Sequence, residues 1–328
     1  GSSMRLWKNA KRCKRNRPDP AIESPPDGAT GFKKQAAMNA TDKLVIFDYS
    51  GTLSLEGPRF AGPDRLEKAL RQSGLFALGV TTPDFFWEQI VDPTWIEGST
   101  TAIGYKKVMA ARLGALVPSP DALREKIAAA VSRFVDDYFD RSRIDPAWRP
   151  ILERLSAHPE TVPVIATDHY AEATETIIRN LHSWNIGARK AGEESGPCLP
   201  AAEEAGASSG QGSPILIANS ADIGFWKADP RFWEFLKKRL PPGKIQSILI
   251  VDDFGFNEEQ GDRYGESARV EARKRETLAV LEKTFEAAVE ATPFFLTGEE
   301  RGGNGKGAAK IVETARRIER FLNPCGEK

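Results

Sequence analysis

Cysteine is scarce in this 328-residue chain, and the three that occur (Cys13, Cys198, Cys325) lie far apart in polar or Gly/Pro-rich surroundings. They make neither a disulfide framework nor a Cys-x-x-Cys metal clamp, which points to a reducing, cytoplasmic setting. Long apolar runs are missing as well. None approaches the roughly 18 residues a membrane helix needs, so no membrane span is expected. Neither sign of charge is in excess, since 46 Lys and Arg face 46 Asp and Glu. That excludes the globally basic character of a dedicated nucleic-acid binder, though not a local basic patch. What is present is an ordinary globular composition, 40% hydrophobic and 28% charged, sufficient for a sizeable core.

Residues 1–40 read as a disordered basic arm that begins with a cloning scar, Gly1-Ser2-Ser3 before Met4. Over residues 4–37 nine basic side chains face only Asp19, Glu23 and Asp27, in a Pro-rich stretch without periodicity. The arm is either a solvated extension or an electrostatic tether for nucleic acid or an acidic partner. From Lys43 the pattern changes. Leu44–Phe47, Val162–Ala166, Ile215–Ala218 and Ile248–Val251 are short continuous apolar runs, as expected of strands covered on both faces. Pro163 fits such a strand only near its start. Helical spacing fills 64–78, 121–140, 147–157, 171–184, 230–239, 268–290 and 307–322, and Pro293–Leu296 offers a last strand. Strands alternating with helices predict an α/β fold, a doubly wound, mostly parallel Rossmann-like sheet. Residues 55–145 are helical throughout and too long for one crossover. They predict an inserted all-helical cap, with 41–54 and 146–328 as the core. Residues 190–213, small and Gly-rich, predict a surface loop.

In open α/β sheets ligands bind at the carboxyl ends of strands, so the residues after each apolar run carry the information. They are Asp48-Tyr49-Ser50-Gly51-Thr52-Leu53; Thr167-Asp168-His169; Asn219-Ser220 leading to Lys227-Ala228-Asp229-Pro230; and Asp252-Asp253 with Asn257 close behind. An anion, a hydroxyl, a cation and an acid pair are thereby brought to one sheet edge.

With these four motifs in order, residues 43–322 resemble the haloacid dehalogenase-like (HAD) superfamily. The resemblance implies an Mg²⁺-dependent phosphohydrolase for a small phosphorylated substrate. It assigns Asp48 as the nucleophile that forms an aspartyl-phosphate, and Asp48, the Ser50 carbonyl, Asp252 and Asp253 as metal ligands. Lys227 would neutralise the carboxylates, and the Thr167 hydroxyl with backbone N–H groups would hold a phosphoryl oxygen. Gly51, Thr52, Asp168 and His169 complete the expected substrate-binding set. Gly51 also allows the sharp turn after Asp48.

One position departs from the pattern. Family phosphatases usually carry a second aspartate, the acid/base, two residues after the nucleophile; here that residue is Ser50. A hydroxyl cannot do that work, which contributes typically about 10²–10⁴-fold. Three readings stand: a phosphohydrolase that is slow, favours a good leaving group or borrows another base such as His169; a relative that cleaves phosphonate or carbon–halogen bonds or transfers phosphoryl groups; or a weakly active or inactive module that binds phosphate or protein. The acid pair Asp252-Asp253 favours metal and phosphoryl chemistry over metal-free dehalogenation. Lys106 and Lys107 are candidates for a Schiff-base lysine by location only. Phe85–Glu88 and Trp95–Thr101 are expected either as cap core or as a specificity loop. Gly302–Lys306 lacks the spacing of a phosphate loop and reads as a turn.

Overall fold

The structure, a computed structural model, describes residues 42–117, 121–193, 213–241, 243–257, 267–301 and 307–323. The basic arm, the Gly302–Lys306 turn and 194–212 of the expected surface loop lie outside the described residues. The chain enters on β1 (Lys43–Phe47) and then forms helices: α1 (Glu56–Ala61), α2 (Pro63–Ser73), the short α3 (Pro83–Phe85) running into a π-helical turn over Phe86–Val91, α4 (Asp92–Thr100), α5 (Tyr105–Leu116) and α6 (Asp121–Arg141). After α7 (Arg149–Ala157) come β2 (Thr161–Thr167), α8 (Glu172–Ser183), β3 (Ala188–Lys190), β4 (Ile215–Asn219), α9 (Ser220–Ile223) and α10 (Pro230–Lys237). The chain continues through β5 (Ser247–Asp252), α11 (Ser267–Phe285), β6 (Ala288–Pro293), α12 (Gly298–Arg301) and α13 (Ala308–Leu322).

The six strands form one parallel sheet in the order β3-β4-β2-β1-β5-β6. Its apolar runs are buried on both sides because side chains alternate along a strand. Leu44 and Ile46 join a core with Phe232, Trp233 and Leu281 on one face, while Val45 and Phe47 join Trp148, Ile177 and Ile311 on the other. That second core is continuous with the helices of 56–141, through Phe60, Phe86 and Phe134. Pro163 lies opposite Val45, whereas pairing with β4 starts at Val164. At the proline, β2 therefore has a neighbour on one side only, the situation proline tolerates.

Two local expectations are corrected. The last strand is Ala288–Pro293, not Pro293–Leu296. Phe294 and Leu296 are apolar because they plug the core beyond the strand, Phe294 against Trp148. The helix expected to reach residue 290 ends at Phe285, because Glu286 takes a left-handed φ of 54° that a helix cannot continue through. Strand β3, three residues at the sheet edge, carries too short a pattern to announce itself. No helix among the described residues is long and apolar enough to cross a membrane.

Candidate active site

Central strand β1 has β2 on one side and β5 on the other, so the carboxyl ends of these three strands flank the crevice where the winding reverses. Asp48 follows β1, Thr167 ends β2, and Asp252 ends β5 with Asp253 next. Register puts them at one height. Phe47 pairs with both Ile165 and Val251, so Asp252 is level with Asp48 and Thr167 stands one residue beyond that level.

The turn after Asp48 is fixed from several directions. Gly51 N–H donates to Ser54 O at 2.9 Å, Ser54 N–H to Tyr49 O at 2.8 Å, and the Trp148 indole to Thr52 O at 3.0 Å. The Thr52 hydroxyl accepts the Asp253 N–H at 3.1 Å, tying the two acidic loops together. Gly51 has φ +79°, and a Cβ there would lie 2.6 Å from Asp253 Oδ2. Both backbone conformation and close approach therefore require glycine. Asn257 binds the same junction: its N–H donates to Asp253 Oδ2 at 2.8 Å, and its amide donates to Gly51 O at 2.7 Å and Phe294 O at 2.6 Å. The turn that follows the acid pair has Phe254 at φ 51° and Gly255 at φ 80°, with the Arg273 guanidinium donating to Phe254 O at 3.1 Å.

Lys227 arrives from the loop between α9 and α10. Its ammonium donates to Asp48 Oδ1 at 2.6 Å and Asp252 Oδ2 at 2.9 Å. Its N–H donates to Asp168 Oδ1 at 2.9 Å, and its carbonyl accepts the Trp233 indole at 2.7 Å. Burial alone would push the ammonium pKa down, but the charges of Asp252, Asp48 and Asp168 outweigh it and hold the group above the ordinary lysine range. The surrounding carboxylates therefore favour Lys227 as the charged ammonium. Burial lifts Asp48 above the usual carboxylate range, against the pull of Lys227 and with the help of Asp252 and Asp253. Burial and then the Asp252 charge push Asp253 up to about 7. Burial likewise raises Asp168, partly offset by Lys227.

Asp48, Asp252 and Asp253 each offer an oxygen within 4.8 Å of the others, all buried. Among the described residues, one ammonium bridges two of these carboxylates and leaves Asp253 to its backbone donors. Negative charge is thus in excess at the centre, and the donors are hard oxygens. Such a set fits a small divalent cation.

His169 is placed differently. Its Nδ1 accepts the Tyr170 N–H at 2.8 Å, which puts the ring proton on Nε2, 2.9 Å from the Tyr138 hydroxyl. Burial lowers its pKa to about 4. At neutral pH it is an uncharged imidazole with both nitrogens engaged. In the helical segment Phe86 is buried in the core, and Trp87 and Trp95 pack against it. The Thr100 and Thr101 hydroxyls donate back to the Ile96 and Glu97 carbonyls at 2.5 and 2.7 Å, so they are spent within their own helix. Lys106 pairs with Asp136 at 2.6 Å on the surface, and Lys107 is exposed.

Sequence reasoning missed the supporting residues Trp226, Glu172 and Tyr138, and it singled out Ser99 only as part of the Trp95–Thr101 segment, without this role. Each acts across a tertiary contact that no spacing encodes. Asn257 was visible behind the acid pair, but its triple role was not.

No family model and no curated protein matches the chain. Among solved structures it is similar to a 2-haloacid dehalogenase. That protein is from Pseudomonas syringae pv. Tomato DC3000; the likeness is 16% identical, with a TM-score of 0.45, over 84% of this chain and 99% of that one.

Proposed function

We propose that the chain is an Mg²⁺-dependent phosphohydrolase that acts on a phosphorylated small molecule through Asp48. The observation that carries this reading is the buried triad Asp48, Asp252 and Asp253 around the Lys227 ammonium, with carboxylate still in excess. A bound Mg²⁺, held by Asp48, the Ser50 carbonyl and Asp252 or Asp253, would supply the positive charge that lets a carboxylate meet an anionic phosphoryl group. Asp48 attacks phosphorus, the bond to the leaving oxygen breaks, and an aspartyl-phosphate forms. Lys227 holds the attacking carboxylate in place and offsets charge on the phosphoryl oxygens, and Thr167 donates to one of them. Water then attacks phosphorus, and phosphate departs with the Asp48 carboxylate restored. Ser50 supplies no proton to the leaving oxygen, so the substrates served best are those whose leaving group is already a stable anion.

A second reading is favoured by Ser50 itself. Displacement of halide by Asp48 needs no proton donor at that position, so carbon–halogen cleavage would tolerate the serine. Against it stands the buried Asp252-Asp253 pair, which repels a carboxylated substrate unless a cation intervenes. Release of phosphate from an aryl phosphate, with Mg²⁺, with EDTA and in Asp48→Asn, decides between them. The proposal expects metal-dependent release that falls to background in the variant. Halide release from a 2-haloacid without metal, and no phosphate release, would sink it.

A further inference from the structure

Lys227 lies in a loop without regular structure, yet its side chain must cross to two buried carboxylates. Two of its anchors, Asp168 and Trp233, belong to the sheet-and-helix core. The third comes from the helical segment. The indole N–H of Trp226, the preceding residue, donates to Ser99 Oγ at 2.8 Å. Ser99, on α4, is fully buried. Its hydroxyl donates to Trp95 O at 2.5 Å, and its carbonyl accepts Ser220 Oγ at 2.6 Å. Ser220 Oγ in turn accepts the His169 N–H at 3.2 Å. The last turn of α4 is pressed so closely onto this region that a Cβ at Gly98 would lie 2.3 Å from the Tyr170 ring. Ser99 is therefore a fixed point, and Trp226 ties the lysine loop to it.

We propose that Ser99 and Trp226 are positioning residues for Lys227: their hydrogen bond seats the loop so that the ammonium spans Asp48 and Asp252. The consequence for turnover rests on the phosphohydrolase reading, but the placement of the lysine does not. Under that reading the helical segment sets the geometry of the nucleophile's partner.

The test is lysine acylation of the full-length protein with an acetyl ester, followed by peptide mapping, in wild type, Trp226→Phe, Ser99→Ala and the double variant. Trp226→Phe keeps an aromatic ring and removes the N–H, so it is the variant least disposed to misfold. The Lys227 acylation rate is expected to rise about fivefold in each single variant, the factor a typical lost hydrogen bond corresponds to. The double variant should show no more than either single one, because the same Trp226–Ser99 bond is lost in all three, and the Ser99–Trp95 bond that Ser99→Ala also removes lies within α4, away from the lysine loop. Lys274 and Lys310, each paired with a glutamate on its own helix, serve as internal references and should not change. An unchanged Lys227 rate in both single variants overturns the proposal, and so does a rise shared equally by Lys274 and Lys310. This readout is indifferent to whether the protein hydrolyses phosphate, so failure of the functional reading in Asp48→Asn would leave it intact. If that reading holds, Trp226→Phe should lower kcat by a similar factor with KM little changed.

Discussion

Ser50 sits where the chain leaves Asp48, and its surroundings show what an acid there would meet. A Cβ on Gly57 would lie 3.3 Å from Ser54 Oγ, 3.4 Å from Ser142 Oγ and 3.6 Å from Ser50 Oγ. Three hydroxyls thus gather around one glycine at the start of α1. A carboxylate at position 50 would meet polar hydroxyls there rather than apolar wall, although the Ser142 hydroxyl already donates to Tyr138 O at 2.8 Å. Ser50→Asp is therefore expected to fold and to raise turnover on an alkyl phosphate, whose leaving oxygen needs a proton, by a sizeable part of the roughly 10²–10⁴-fold that general acid catalysis contributes. Turnover on an aryl phosphate should change far less. Steady-state rates on the two substrates check this, and a uniform change or none would show that a missing acid is not the limit. At this scale the sequence was most legible. Asp48, Thr167, Lys227, Asp252 and Asp253 declare themselves because each follows an apolar run or lies in an ordered set of motifs. Ser99 and Trp226 do not, since they meet 127 residues apart.

Helix α5 illustrates what pattern alone leaves out at the level of elements. It opens on Gly104, which has no side chain to cap it. The free N–H groups of a helix start need acceptors, and here both come from elsewhere. Glu172, in the first turn of α8, accepts Tyr105 N–H at 2.7 Å and Lys106 N–H at 3.1 Å. One carboxylate thus serves two helix N-termini, where negative charge is favoured. Gly104 at φ +83° makes room, since a Cβ would stand 2.8 Å from Glu172 Oε1. Glu172→Ala is expected to destabilise the protein by about 1–2 kcal/mol, in the range of a lost cap and of hydrogen bonds to a charged group. Glu175→Ala, exposed in the same turn of α8, should stay within about 0.5 kcal/mol of wild type. Urea midpoints at constant slope measure both, and equal effects would deny Glu172 its capping role. The same kind of information hid β6. Ala288-Val289-Glu290-Ala291 is as compatible with a helix as with a strand, and it pairs because β5 lies beside it. The long buried strands, by contrast, were readable from composition, because two-sided burial leaves a continuous apolar run.

At the scale of the whole molecule, His169 joins segments distant in sequence. Its ring packs against Tyr49 after β1 and against Tyr138 and Phe139 on α6, and its N–H reaches Asn219 Oδ1 at the end of β4. Burial holds its pKa at about 4, against 6.5 for an ordinary histidine. Between these values the unfolded chain binds a proton that the folded chain refuses. Folded stability from this residue is therefore complete above about pH 6.5 and declines as pH falls toward 4, by up to about 1.4 kcal/mol per pH unit. The raised carboxylates act in the opposite sense. Asp48, Asp168 and Asp253 take up protons more readily folded than unfolded, so they favour the fold as pH falls through the same region. Net acid sensitivity is the balance of the two. His169→Gln removes one side of that balance, because its amide is uncharged at every pH while still offering an acceptor and a donor to Tyr170 and Tyr138. The difference in unfolding free energy between wild type and His169→Gln should thus shift in favour of the variant as pH is lowered from 6.5 to 4, and level off above 6.5. Chemical denaturation across that range measures it. A difference independent of pH would mean that the imidazole is charged in the folded state, and that the Tyr138 hydroxyl accepts from a cation rather than from a neutral ring.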